Sequence, residues 1–413
     1  MQLITTRSTC LLLLLVTITF KLQFLPALLA GPTNNDAFLS IIFISAAEIL
    51  ILSIFLFLST KYPGFTFKQL LEFMFNKTIA KIILILFGLQ FFVKTIAAFM
   101  GDYIYLIENI YSVLPWYVFV FPIGIILLYV ITSGLKSIGR MAEVFLPIII
   151  FALLAAIIFG LTGLEYAGAL PIYENGFLHS TLPVFNYTNW FGNLLVYIVV
   201  MGNIKQSKNH NKWVIASVIA GCAVVALFYF IYYCMFGFNA GNYTNALADT
   251  ITVLPGNTDI GGITWLIILA WAIAVFLYLA VMAYGTTFCF AEAFGKKLKP
   301  YIAFVVIAVT IGVSVALNFD IARLVIFSLD YLKYFDWAMQ YLLPVVLLIF
   351  SFRLKKRAVS TNKTQEPNEE ESKARHYAEI AEQTQKKVEK EGANLGLTGG
   401  NARSLSKRGG GHD

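Results

Sequence analysis

Ten apolar stretches run through this chain, and the short loops between them alternate between bearing lysine or arginine and bearing neither. The stretches lie at about 8–30, 37–60, 79–102, 116–133, 139–161, 185–204, 213–237, 262–291, 300–318 and 337–354. A helix crossing the hydrocarbon core of a bilayer needs about 20 apolar residues, whereas a barrel strand needs only about 10. The stretches therefore read as helices, and the fold class as an all-α integral membrane protein with about ten transmembrane helices. Basic side chains gather around Arg7, at Lys61–Lys77, at Lys136 and Arg140, at Lys205–Lys212, at Lys296–Lys299 and at Arg353–Arg357. The loops near 31–37, 101–115, 163–184 and 238–261 carry none, and the last, near 318–336, sets Arg323 and Lys333 against Asp320, Asp330 and Asp336. Lys and Arg are retained on the cytoplasmic side during insertion. Both termini are therefore expected in the cytoplasm, as an even number of spans also requires.

Composition narrows the function. Of 413 residues, 59% are hydrophobic and only 13% charged, where soluble domains are about a quarter charged. The net charge of +7 falls in the basic loops and the C-terminal segment, which favours contact with anionic membrane lipid and argues against nucleic acid. Cys10, Cys222, Cys234 and Cys289 form no CxxC pair and the histidines are scattered, so no disulfide frame, metal or cofactor is expected. No GxSxG, P-loop, HExxH or dinucleotide fingerprint occurs, and the chain does not read as an enzyme. The N-terminus has some features of a secretory leader, with Arg7, an apolar run and Ala30-Gly31. Its removal would leave nine spans and spoil the charge alternation, so it is read as the first span.

One membrane domain is expected over 1–357. Residues 358–413 are charged and poor in apolar side chains, a composition that reads as a disordered cytoplasmic tail. The stretch Phe319–Trp337 mixes charged with apolar residues and reads as an amphipathic helix lying at the outer interface. Phe238–Gly262, with its Gly, Pro, Asn and Thr, reads as an outer lid. Ten spans divide into five and five, about 8–161 and 185–354, and an odd number in each half gives the halves opposite orientations. Inverted repeats of this kind place their site where the first helix of each half is broken.

Both such helices carry interruptions. Span 1 holds Thr17, Thr19, Lys21 and Gln23 ahead of Pro26, and span 6 holds Asn189, Trp190, Gly192 and Asn193. Proline cannot continue the backbone ladder, and unwound backbone at this depth is tolerated where it lines a cavity. These eight residues, Pro26 apart, are the candidate ligand-binding set. Trp271 and Tyr278 are further candidates to line a pocket. Three ionisable residues, Lys21, Glu48 and Lys94, fall deep within spans, where an isolated charge costs at least about 2.5–3.5 kcal/mol. Lys21 lies about 15 Å and Glu48 about 18 Å below the outer ends of their spans at 1.5 Å per residue, so the two can meet across neighbouring helices. Lys21 is a candidate built-in cation. Arg140 and Glu143, three residues apart, read as an interfacial pair.

The order of features resembles the B subunit of the spore germinant receptors (GerA-type), within the amino acid–polyamine–organocation transporter superfamily. The resemblance rests on Leu25-Pro26, on Lys61-Tyr-Pro-Gly-Phe-Thr-Phe67, on Gly134-Leu-Lys-Ser-Ile-Gly-Arg-Met-Ala-Glu143, on Leu170-Pro171, Gly176 and Leu182-Pro183, and on Trp190-Phe-Gly192. It implies a LeuT-like fold with a small-molecule site between the repeats and no catalysis. It also implies a nutrient ligand such as an amino acid, assembly with an A subunit and a lipoprotein C subunit, and the spore inner membrane. Two positions depart from the family pattern: Thr19-Phe-Lys21 replaces a small glycine-containing stretch, and Asn193 stands where Glu often follows Phe-Gly. The runner-up reading is an autonomous proton-coupled amino acid permease of the same superfamily. A third is a membrane scaffold that docks through its tail.

Overall fold

The computed structural model describes residues 4–33, 36–113, 115–174, 176–205, 207, 209–252 and 261–361. The first half begins with a two-residue strand β1 (Ile4–Thr5), then α1 (Thr6–Gln23), α2 (Leu25–Thr33), α3 (Ala37–Lys61), α4 (Phe67–Met74), α5 (Lys77–Asn109), α6 (Trp116–Ser133) and α7 (Leu135–Thr162). A short α8 (Phe177–Thr181) leads into 3-10 turns at Leu182–Trp190 and Asn193–Val196, then α9 (Tyr197–Val200) and strand β2 (Ile204–Lys205). The second half continues with α10 (His210–Phe236), α11 (Ala246–Thr252), α12 (Gly261–Phe294), α13 (Lys299–Ala316), α14 (Ile321–Phe327), α15 (Lys333–Trp337) and α16 (Leu343–Thr361).

The two halves match element by element. Each opens on a broken segment, follows it with a long helix, then a short one (α4, 8 residues; α11, 7 residues), then a helix of 33 or 34 residues (α5, α12), then an 18-residue helix (α6, α13). Equivalent helices run in opposite directions. Gly88 of α5 faces Phe290 of α12, Gly285 faces Phe91, and the Tyr105 hydroxyl reaches the Ile268 carbonyl, so α5 and α12 are antiparallel. Among the described residues this pair makes the most extensive helix contact. Glycine permits it: a Cβ on Gly88 would sit 2.7 Å from the Phe290 ring. At 1.5 Å per residue such helices run about 50 Å, long enough to cross a bilayer. Their partners α6, α7 and α13 leave large apolar side chains exposed, among them Ile125, Phe151 and Phe304, as lipid-facing helices must.

The basic loops collect at one end. Lys68 and Lys296 converge on Glu292, beside a cavity of about 270 Å³ whose walls include Ser133, Gly134, Asn203 and Lys299. At that end β1 pairs in parallel with β2, tying the start of α1 to the end of the broken segment. His210 accepts or donates to both Thr6 (3.0 Å) and Tyr197 (3.4 Å) and reinforces the tie. At the opposite end, Asp36 takes the Tyr173 N–H (2.9 Å) and the Ser180 hydroxyl (2.7 Å).

The helices come close to the expected ten, and one expectation, at Phe319–Trp337, is corrected. Among the described residues eight helices are long and apolar enough to cross a membrane, and the bent pair α1–α2 makes a ninth. The sixth apolar stretch, 185–204, is interrupted as expected: its backbone turns through 3-10 segments around Gly192 and forms no regular membrane-length helix. The Phe319–Trp337 stretch is no separate interfacial helix: Ile321–Arg353 is one 33-residue apolar helical run. Two π turns, Ser328–Leu332 and Ala338–Leu342, interrupt it. The lid is partly helical, with a 3-10 turn at Gly237–Asn242 followed by α11. The chain divides after Phe352, and α16 extends to Thr361. The expected tail beyond it lies outside the described residues.

Candidate ligand site at the paired helix breaks

The first break falls later than the polar residues suggest. α1 stays helical through Thr17, Thr19, Lys21 and Gln23, and the chain then bends by 59° between α1 and α2. Thr17 and Thr19 do not offer free hydroxyls: they donate to Leu13 O (2.7 Å) and Leu15 O (2.8 Å), one turn back, as threonines within helices do. Pro26 is the cause of the bend. It lacks the N–H that the Leu22 carbonyl would accept, and it sits comfortably in the first turn of α2. Two tyrosines of α10 take up carbonyls at the bend. Tyr229 donates to Lys21 O (3.0 Å) and Tyr233 to Pro26 O (2.6 Å). Gln23 donates from Nε2 to Gly101 O at 3.3 Å, and its Oε1 has no partner in the protein.

The second break centres on Gly192, whose φ of +70° a side chain would strain. Its N–H donates to Glu48 Oε1. The other Glu48 oxygen receives the Lys21 ammonium, which also lies 5.4 Å from the Phe191 ring centroid. Lys94 takes no carboxylate as a hydrogen-bond partner. Its ammonium donates to the Asn189 and Phe191 carbonyls and, at 3.4 Å, to Asn193 Oδ1. Asn193 is held by a further donor, Tyr278 (2.9 Å), and returns its own amide to Val16 O (3.3 Å). Asn193 thus bridges α1, α5, α12 and the broken segment.

A fourth charge completes the cluster. Asp336 of α15, read from sequence as part of an outer loop, is buried, accepts from Gln90 (3.3 Å) and interacts electrostatically with Lys94. One turn on, Gln340 donates its amide nitrogen to Thr188 O (3.1 Å) and presents its oxygen to the Gly192 N–H (3.0 Å). Lys21, Lys94, Glu48 and Asp336 are each at most 3% exposed. Two cations and two anions balance, which is how charges are kept in a low-dielectric interior.

Aromatic rings close over the breaks. Phe20 stacks between Trp190 (centroids 5.6 Å apart) and Tyr278 (5.3 Å). Both polar atoms of the Asn189 side chain and the Trp190 indole nitrogen are buried without a protein partner. Trp271 is fully buried and its indole nitrogen is likewise unpartnered. A cleft of about 860 Å³ opens beside the cluster. Its walls include Ala47, next to Glu48, Phe185 and Asn186 at the start of the 3-10 turn, and Tyr341, next to Gln340.

The structure therefore gathers Lys21, Glu48, Lys94, Asn189, Trp190, Gly192 and Asn193 around one locus, while Thr17 and Thr19 turn to their own helix and Gln23 to α5. Arg140 and Glu143 do not pair; Glu143 instead accepts from Ser8 at 2.5 Å. Sequence reading missed Phe20, Gln90, Tyr229, Tyr233, Asp336 and Gln340. The spacing of Asp336 and Gln340, one helical turn apart in an apolar run, was the available signal.

Against known proteins, residues 3–321 match a family described as spore germination protein. Among curated proteins none matches the chain in sequence. In three dimensions the chain is similar to the Eremococcus coleocola manganese transporter in complex with an aromatic bis-isothiourea substituted compound, with a TM-score of 0.56, 12% identity and 91% of each chain covered. Two structures of substituted forms of that transporter give TM-scores of 0.56 and 0.55 at 11% identity, again over 91% of each chain. These likenesses show a LeuT-type transporter fold.

Proposed function

The chain belongs to the spore germination protein family, and from that premise we propose that it is the membrane subunit of a nutrient (germinant) receptor. It senses a small molecule, an amino acid in first rank, through a transporter fold, without catalysis. Receptor A and C subunits are its partners, the spore inner membrane its location, and its lysine-rich end faces the cytoplasm with both termini.

One observation carries the ligand reading. The Asn189 amide and the Trp190 indole N–H are buried at the second break and make no hydrogen bond within the protein. Unpaired buried polar groups are costly, about 1–3 kcal/mol each, and a site that presents two donors and an acceptor suits a neutral or zwitterionic polar molecule. The neighbouring charges are already balanced among themselves, which disfavours a ligand of net charge.

The test is ligand-induced thermal stabilisation of the purified protein against amino acids, nucleosides and sugars. Saturation at about 100 times Kd adds about 2.7 kcal/mol to the native state. The expected result is one chemical class that stabilises the wild type and fails to stabilise Asn189→Ala. The Asn189 side chain makes no bond that the fold needs, so this variant should keep its unliganded stability. Stabilisation that survives in Asn189→Ala would place the ligand elsewhere. Uptake of the hit by the protein alone in liposomes would favour the permease reading.

A further inference from the structure

We propose that the oxygens around Lys94 form a monovalent-cation site that the protein fills with its own tethered ammonium. The argument is one of coordination and does not depend on which nutrient is sensed. An ammonium has three protons to donate. Lys94 meets three oxygens, the main-chain carbonyls of Asn189 and Phe191 and the amide oxygen of Asn193. All three are neutral. The ion pairs within 4.0 Å among the described residues do not include Lys94. A lysine whose task is to pair with an acid would lie on Glu48 or Asp336; this one is held as an ion is held, by carbonyl dipoles.

Those carbonyls exist only because the backbone breaks. In a regular helix Asn189 O and Phe191 O would accept N–H groups one turn on, and freed carbonyls at such breaks coordinate cations in carriers of this architecture. The same dipole chemistry strips and holds alkali ions in channel filters. Here the ion arrives on α5, which belongs to neither broken segment, so the lysine stem fastens the second break to the longest helix of the first half. Asp336 and Glu48 supply compensating negative charge at longer range. Asn193 shares its oxygen with Tyr278, which holds the third ligand in place. The consequence is that the break needs no dissociable sodium or potassium to stay in shape.

Chemical rescue tests this with thermal unfolding as the readout. Lys94→Ala removes three carbons and the ammonium, the shape of n-propylammonium. In buffer containing only choline as cation, the variant is expected to unfold several degrees lower than the wild type. Adding n-propylammonium chloride at constant ionic strength should restore a large part of the loss in a saturable manner, methylammonium less, and tetramethylammonium, which has no N–H, not at all. The wild type should unfold at the same temperature in sodium, potassium and choline.

Three results would overturn the proposal. One is a wild type that gains stability from sodium or potassium over choline. Another is a Lys94→Ala variant that responds no better to n-propylammonium than to tetramethylammonium. The third is a variant that cannot be obtained folded in any of these cations. Loss of nutrient stabilisation in the wild type would count against the proposed sensing function and leave this outcome unchanged.

Discussion

Gly192 shows how much one residue decides here. It holds a positive φ, its N–H is engaged by Glu48, and a Cβ would lie 1.9 Å from the Gln340 amide. Gly192→Ala combines left-handed strain with overpacking and is expected to cost about 2–4 kcal/mol, read as a fall in unfolding temperature. The charged residues behave differently because they depend on one another. Lys21→Met leaves the Glu48 carboxylate buried without its cation, at a cost of about 3–5 kcal/mol. Adding Glu48→Gln to that variant removes the stranded charge and keeps an acceptor for the Gly192 N–H, so the double variant is expected to be more stable than Lys21→Met alone. A double-mutant cycle in thermal unfolding checks this; a double variant weaker than both singles would refute the charge-balance account. At this scale the sequence exposed the polar residues in apolar surroundings, but not their partners. Lys21, Glu48 and Lys94 stood out because charge is expensive in a membrane. Asp336 escaped notice because Asp330, Lys333 and other charges surround it in the chain, and only the helix turn that faces it inward separates it from them.

The two broken segments are the elements that matter most, and they break for different reasons. α1 bends where Pro26 removes a donor, and the tyrosines of α10 cover the carbonyls. Tyr233→Phe takes away a 2.6 Å bond to Pro26 O and should cost about 0.5–1.5 kcal/mol, without the larger loss that a core truncation brings. The second segment breaks at a glycine and is held by side chains from α3, α5, α12 and the last helix. Proline and glycine made both interruptions readable in advance. The exact course was not, since Thr17 and Thr19 satisfy themselves within α1. The lid offers a pH test. α11 is fastened by Glu108, which accepts from Thr244 (2.8 Å) and Asn245. Asp249 caps Asn245 N at 3.0 Å, and burial, with Glu108 nearby, raises its carboxyl from 3.8 to about 6. A raised carboxyl holds its proton longer when docked than when undocked. Docking is therefore strongest below about pH 4, weakens as pH climbs towards 6, and is flat above that. Hydrogen exchange over 243–252, corrected for intrinsic rates, should show more opening at pH 7 than at pH 5, and Asp249→Asn should remove the difference.

For the whole molecule, the prediction concerns orientation. A single cysteine at Lys136 lies at the basic end and one at Glu174 at the other. In a cysteine-free background, an impermeant maleimide applied to intact cells should label Glu174→Cys at once and Lys136→Cys only after permeabilisation. The reverse pattern would invert the proposed topology. Much at this scale follows from the sequence alone. Apolar length and the asymmetry of lysine and arginine are properties of the chain against a bilayer, so they determined the membrane class, the helix count to within one and the division into two halves. Which polar groups meet was decided only by the tertiary structure. The balance of Lys21, Lys94, Glu48 and Asp336 brings together α1, α3, α5 and α15, separated by up to hundreds of residues in the chain. Burial makes an unpaired charge untenable, so the fold must supply each partner, but any of several acids would have met that demand on composition alone. Helix packing, with α5 laid against α12 through glycine and with π turns rotating the last helix, selected the ones that do.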